Sequence, residues 1–236
     1  MASNPQIISD LKVIMEAKHN LELLITFKGV PFICKARVDS IEENLVRLTA
    51  LDPAMVCLLN ENSVRVLGSD YFEPSVAKVM RFDTATGAVD LCDFSYAGTK
   101  LGERAIVRVQ PKDPIEVILD LNGSRITSDL VDISLNGIGV RILFRNYNAA
   151  LKPGTQVRIH VQLPNGDVDL SGMVLGTIKS NDYQRLSIRF GQDVPQRGKI
   201  FRYLVDRRKE IEKELMEAYQ TAIGTLKIPA PSKDTE

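Results

Sequence analysis

The 236-residue chain has no tryptophan, only two histidines and only three cysteines, and these scarcities exclude several chemistries. His19 and His160 are too few for a histidine-rich metal cluster, and Cys34, Cys57 and Cys92 show no CxxC or Cys/His spacing. Their apolar settings, such as PFICKA and AMVCLL, predict buried, reduced thiols. Neither histidine lies near a nucleophile elbow or a Ser/Cys pairing signature. Charge of one sign is missing too: thirty basic residues face thirty acidic ones, so no global field draws the chain to nucleic acid or an anionic membrane, and any anion site is local. No apolar run approaches the ~20 residues of a membrane-spanning helix. The opening MASNPQIISD lacks the basic and apolar regions of a signal peptide, so a cytoplasmic location is expected. The chain reads as a binding protein, not an enzyme, with no metal and no cofactor.

What is present is enough to fold. Apolar residues make up 44% and charged residues 25% of the sequence, the ordinary balance of a chain that buries a core, and the length suits two small domains. Ile7, Ile8, Leu11, Ile14 and Met15 fall on one helical face, which predicts a short amphipathic helix over residues 5–18. From Leu21 the pattern turns strand-like: LELLITFKG, PFICKARVDSI, NLVRLTAL and SVRVLGS, then VAKVMRFD and GAVDLCDFSY joined through TATG as a hairpin. Residues 1–96 therefore read as a first small β domain.

The stretch AGTKLGER, residues 97–104, is polar and glycine-bearing and reads as a linker, continued to residue 109 by the run into the next strand. Six further segments follow: PIEVILDL, RITSDLVDIS, GIGVRILF, TQVRIHVQL, DVDLSGMVLGTI and QRLSIRF. The turn signals NGS, SLNG, LPNGD and SND fall between them. Six strands at this spacing predict a small antiparallel barrel. After Pro195 the period changes. Ile200, Leu204, Ile211 and Leu215 recur at helical spacing with Arg207, Arg208, Glu210 and Lys213 between them, predicting an amphipathic helix whose charges face solvent. Residues 110–226 thus form a second domain, and 227–236, with two prolines, a mobile tail. The fold class is mainly β: two small antiparallel β-barrels in tandem, with an N-terminal helix and a C-terminal amphipathic helix.

Two local patterns suit an anion. Residues 99–112, TKLGERAIVRVQPK, carry Lys100, Arg104, Arg108 and Lys112 against one acid, Glu103. Arginines four apart where a linker enters a sheet offer planar forks that grip phosphate or the Hoogsteen edge of guanine bidentately; the plainer reading is a set of solvated linker side chains. The spacing alone is weak, since Arg141 with Arg145 and Arg185 with Arg189 repeat it inside predicted strands, where period two places each pair on one solvated sheet face. In VDISLNGIG, Asp132 and Ser134 point to the same side of an extended chain, and Asn136 with Gly137 are expected to supply a turn of positive φ. The plainer reading here is a hairpin turn whose Asp and Ser bond their own backbone.

Arg104 and Arg108 followed by Asp132, Ser134 and Gly137, then by the strands SGMVLGTI and LSIRFGQ and a terminal helix, resemble a PilZ domain over about residues 100–222. The resemblance implies a receptor for cyclic di-GMP. Arg104 and Arg108 would then clasp guanine and phosphates, Asp132 would accept hydrogen bonds from guanine N1–H and its amino group, Ser134 would support it and Gly137 would hold the turn. Gly102 and Glu103 stand where many relatives carry a further Arg or Gln. The first domain resembles, by size, strand rhythm and domain order, the N-terminal split β-barrel of YcgR-like flagellar brake proteins. This implies that ligand binding between linker and barrel resets the domain arrangement.

The leading expectation is a cytoplasmic cyclic di-GMP effector that relays the signal to motility, surface or biofilm machinery through a protein partner of the flagellar, pilus or biofilm apparatus. A homodimer through the stripe Leu204, Ile211, Leu215 is compatible with the pattern. The first alternative is a PilZ-like interaction module that binds no nucleotide. The second is a small-barrel nucleic-acid binder, prompted by Arg197, Lys199, Arg202, Arg207, Arg208 and Lys209; zero net charge and few aromatics beside the cations oppose it.

Overall fold

The structure, a computed structural model, describes residues 4–67, 72–97, 107–121, 123–143, 151–192 and 195–224. These divide into two compact units, one drawn from Met1–Phe27, Pro31–Arg104 and Glu212–Glu236, the other from Lys28–Val30 and Ala105–Ile211. Each has its own closed, six-stranded antiparallel barrel, as the alternation of apolar residues predicts. Residues 98–106, most of the expected linker, and the tail 227–236 lie outside the described residues.

In the first unit, α1 (Pro5–Glu16) starts where Asn4 caps it, its side-chain oxygen accepting from the Gln6 N–H at 3.0 Å, with proline in the first turn. Ile7, Ile8, Leu11 and Ile14 form its buried face. Strands β1 (Asn20–Phe27), β2 (Val30–Glu42), β3 (Leu45–Thr49), β4 (Ser63–Val66), β5 (Ser75–Asp83) and β6 (Ala88–Tyr96) close in the order β1-β2-β3-β6-β5-β4. The expected hairpin is β5–β6. Gly87 takes φ +71° at its turn, and a Cβ there would lie 2.6 Å from the Ala50 carbonyl oxygen, so only glycine fits.

A 3-10 helix, Pro53–Leu59, was not legible in the strand rhythm; it is capped by Asp52, which accepts from the Ala54 N–H, and it inserts Ala54, Met55, Val56 and Leu58 into the core. Of the three thiols, Cys34 is fully buried, whereas Cys57 and Cys92 are half-buried. Burial raises all three, with Cys57 pushed up to about 11 by burial and then by Glu61. They are thiols, not thiolates, at neutral pH.

In the second unit, β7 (Glu116–Leu121), β8 (Ser124–Ser134), β9 (Gly137–Leu143), β10 (Gln156–Leu163), β11 (Gly166–Lys179) and β12 (Tyr183–Phe190) close in the order β10-β11-β12-β9-β8-β7. Val117, Leu119, Ile126, Ile133, Val140, Ile159, Val161, Leu186 and Ile188 are among the side chains that fill it. Before β7, Val109 forms an isolated bridge with Ile133, Val109 N–H donating to the Ile133 carbonyl at 2.9 Å and Ile133 N–H donating back at 3.0 Å. Strand β7 pairs with β8 from Ser124 to Asp129, and the Val109 bridge satisfies backbone groups of β8 beyond that point.

Helix α2 (Arg197–Gly224) is 28 residues long. Ile200, Ile211 and Leu215 are buried as the helical spacing predicts, and Leu204 is half-buried. One expectation is corrected. Arg207 is not solvated but 2% exposed; its Nε donates to the Gln110 carbonyl at 2.8 Å and its Nη1 to Glu210 at 3.0 Å. Helical period places it one turn from Tyr203 and Ile211 on the covered face, and a guanidinium is tolerated there because its donors are used. Among the described residues, no helix is long and apolar enough to cross a membrane.

Candidate functional site

Simple alternation along β8 would turn Asp132 inward, since Ile126, Ser128 and Leu130 are all buried at the same parity. A β-bulge between Leu130 and Asp132 changes the phase. Leu130 and Ile133, three apart, both enter the core, opposite Val140 and Ile138 respectively. Asp132 pairs with Gly139 and Ser134 with Gly137, in step with Ser187 and Arg189 of β12. Paired residues share a face, so Asp132, Ser134, Gly137, Gly139, Ser187 and Arg189 lie together on the outer side of the barrel.

The two glycines keep that face low. A Cβ on Gly139 would come within 2.9 Å of both carboxylate oxygens of Asp132, and one on Gly137 within 2.5 Å of the Ile188 carbonyl oxygen. Gly137 is therefore required for close strand approach. The expected turn of positive φ is corrected: neither Asn136 nor Gly137 adopts one. Ser134 fulfils the plainer of its two readings, its hydroxyl donating to the Gly137 carbonyl at 3.1 Å and accepting from the Asn136 N–H at 3.4 Å.

Asp132 behaves differently. Its carboxylate is only 10% exposed and, among the described residues, bonds no turn backbone; two arginines from different elements hold it. Arg108, placed by the Val109 bridge, approaches Oδ1 with Nη1 at 3.4 Å, and Arg185 of β12 donates from Nη2 to Oδ2 at 2.7 Å. Charge-assisted bonds of this kind are the strong ones. One carboxylate against two guanidiniums leaves the cluster with a single net positive charge, and both arginines remain partly open to solvent, at 38% and 40%. Neighbouring Arg141 is committed elsewhere, to Asp129 at 3.0 Å.

The structure thus brings together Arg108 and Asp132, with Ser134 and Gly137 in the adjoining turn; Arg104 and Arg145 lie outside the described residues. Sequence reasoning missed Arg185, read there as a solvated strand residue paired with Arg189, and Gly139. The available signal was the Gly-Ile-Gly of 137–139: two glycines at period two inside a strand mark a close approach. Two grooves of about 650 and 480 Å³ open elsewhere on the same unit. The larger is lined by Arg125, Arg158, His160 and Asp169, and His160 Nδ1 lies 2.8 Å from Asp169 Oδ1. The smaller includes Asn136 and Arg189, beside the motif turn. Neither is lined by Arg108, Asp132 or Arg185; among the described residues, Asp132 is in direct contact with both arginines.

Comparison with known proteins adds a family match. The PilZ domain family matches residues 103–206. An uncharacterized protein of Aquifex aeolicus is 31% identical over 126 residues, 52% of this chain and 59% of that protein, so the match spans about three fifths of the relative's length. Among solved structures the chain is similar to YcgR in complex with c-di-GMP from Escherichia coli, at 16% identity over 90% of this chain and 94% of that one, TM-score 0.45. It is similar also to the K. pneumonia MrkH–c-di-GMP complex, at 16% identity over 90% and 97%, TM-score 0.46. A third is the Bacillus subtilis inhibitor of motility, MotI/DgrA, at 14% identity over 81% and 96%, TM-score 0.43.

Proposed function

Residues 103–206 match the PilZ domain family, and from that premise we propose that the protein is a cyclic di-GMP receptor that acts by binding, without catalysis or cofactor. The observation that carries the reading is the position of Asp132. It is a nearly covered carboxylate on a glycine-lowered barrel face, held between Arg108 and Arg185. Guanine presents N1–H and its amino group side by side, and a carboxylate accepts both. The phosphates require cations, and the cluster's net charge is positive.

In this proposal Arg104 and Arg108 take the guanine edges and phosphates, Asp132 reads the base, Ser134 supports the turn and Gly137 lets the strands close. The division into an N-terminal domain 1–96, a motif-bearing linker 97–109, a PilZ domain 110–226 and a tail 227–236 belongs to the same proposal. So does its consequence, that ligand held by linker and barrel favours one domain arrangement to the extent that it binds that arrangement more tightly. The signal then passes in the cytoplasm to a protein partner of the motility, surface or biofilm machinery.

The test is calorimetric titration with cyclic di-GMP, beside GTP and cyclic di-AMP. Saturable binding of cyclic di-GMP alone is expected. Silence in the titration together with an unshifted thermal midpoint at saturating nucleotide would replace the receptor by an interaction module that binds no nucleotide.

A further inference from the structure

Asp132 holds two arginine contacts, one to each oxygen, and the two are unequal. The Arg108 contact is long, 3.4 Å, and comes from the end of the linker segment; the Arg185 contact is 2.7 Å and comes from the middle of a strand paired on both sides, with β9 and β11. We infer that Arg185 is the positioning residue of the base-reading carboxylate, and that the Arg108–Asp132 contact is the one a bound nucleotide replaces. The inference rests on the nucleotide-binding reading above and extends it to a residue outside the two motifs.

The chemistry follows from counting donors and lone pairs. An ionised carboxylate offers about four acceptor sites. A guanine edge takes one on each oxygen, and a side-on Arg185 fork takes the other on each, which leaves none for Arg108. Displacing a 3.4 Å contact gives up less than displacing a 2.7 Å one, so Arg108 is the contact that leaves, which frees its guanidinium for phosphate or the Hoogsteen edge. Arg185 has a reserve for this exchange. Its Nε is buried and has no partner among the described residues. Once Arg108 lets go, a small rotation of the Asp132 carboxylate brings it side-on to the Arg185 fork, through Nε as well as Nη2. That pairing satisfies the orphaned donor and still leaves one acceptor site on each oxygen facing the base. Gly139 is what gives the carboxylate room, since a Cβ at that position would touch both oxygens at 2.9 Å.

The experiment compares wild type with Arg185→Met, which keeps the packing and removes the donors, Arg185→Lys, which keeps the charge and removes the fork, and Arg141→Met. Arg141 lies on the same barrel face and bonds Asp129 instead. Each is titrated with cyclic di-GMP and cyclic di-AMP. Arg185→Met is expected to lose about tenfold or more in affinity for the guanine ligand, the scale of a charge-assisted hydrogen bond. Its preference over the adenine ligand should shrink by a similar factor, because adenine has no N1–H and amino pair for Asp132. Arg185→Lys should fall between, and Arg141→Met should bind as wild type. Loss of affinity with the base preference intact marks a merely structural residue and overturns the inference, as does wild-type behaviour of both Arg185 variants. If the methionine variant does not fold, the lysine variant decides by the same two readouts. Wild type that binds no cyclic di-GMP removes the receptor reading and this inference together, an outcome distinct from a binding wild type with indifferent Arg185 variants.

Discussion

Val109 and Ile133 exchange two backbone hydrogen bonds, at 2.9 and 3.0 Å, and this bridge fastens the first motif of the sequence to the second. With Val109 pinned to β8 and its side chain fully buried, Arg108 is delivered to the outer face where the bulge has turned Asp132. The motif arginine and the motif aspartate then meet at 3.4 Å. Replacing Arg108 or Asp132 by alanine should each weaken cyclic di-GMP binding about 5–150-fold, the range of a bidentate base contact; Arg104→Ala should do the same. Calorimetry on the three variants checks this, and unchanged affinity in all of them removes the receptor assignment.

Gly139→Ala and Gly137→Ala separate function from fold. The three atoms nearest a new methyl at 139 all belong to the Asp132 carboxylate, the end of a side chain, whereas at 137 the nearest is the Ile188 backbone oxygen at 2.5 Å. The first variant should keep a thermal midpoint near wild type while losing about tenfold or more in affinity, from one displaced charge-assisted bond. The second should unfold several degrees earlier, at a cost of about 1–3 kcal/mol for overpacking. Equal melting of the two would contradict the geometry.

Arg207 is the charged side chain most fully covered on α2. Arg207→Ala removes the donor to the Gln110 carbonyl and should destabilise the protein by about 2–4 kcal/mol, through the lost bond and the void it leaves. Lys209→Ala, at an exposed position of the same helix, should fall within about 0.5 kcal/mol of wild type. Urea unfolding of both gives the comparison.

Tyr203 provides a pH signature. Burial pushes its hydroxyl up to about 12, more than nearby Arg207 pulls it down. In the unfolded chain a tyrosine titrates near 10, so between about pH 10 and 12 the folded state holds a proton the unfolded state has lost. Stability from this group is therefore complete below about pH 10 and declines as pH rises toward 12. The hydroxyl also lacks a partner among the described residues, so Tyr203→Phe should be near neutral or slightly stabilising at pH 7. The same variant should show a shallower loss of stability in alkali, read by denaturant midpoints across that pH range.

Fold class was legible because it is written in short-range periodicity. Period-two runs named the twelve strands to within a few residues, and Ile7, Leu11 and Ile14 marked α1, because burial on one face needs only local spacing. The 3-10 helix at Pro53–Leu59 escaped the same reading, since PAMVCLL is apolar throughout and carries no period. Arg207 was misassigned for a related reason. Spacing located the covered stripe of α2, but which charged residue could enter it depended on a carbonyl at Gln110, 97 residues away along the chain.

The candidate site divides along the same line. The chain's own residues determined that an arginine pair precedes an Asp-x-Ser-x-x-Gly turn, and that one carboxylate stands ready for a donor pair, because residue type and order are local properties. Which way Asp132 points was decided by a bulge that reversed the parity of β8, and which guanidinium holds it was decided by the pairing of β12 with β9, which carries Arg185 to a partner 53 residues earlier. Such contacts cost loop closure and are set by strand register, a quantity that no window of sequence contains.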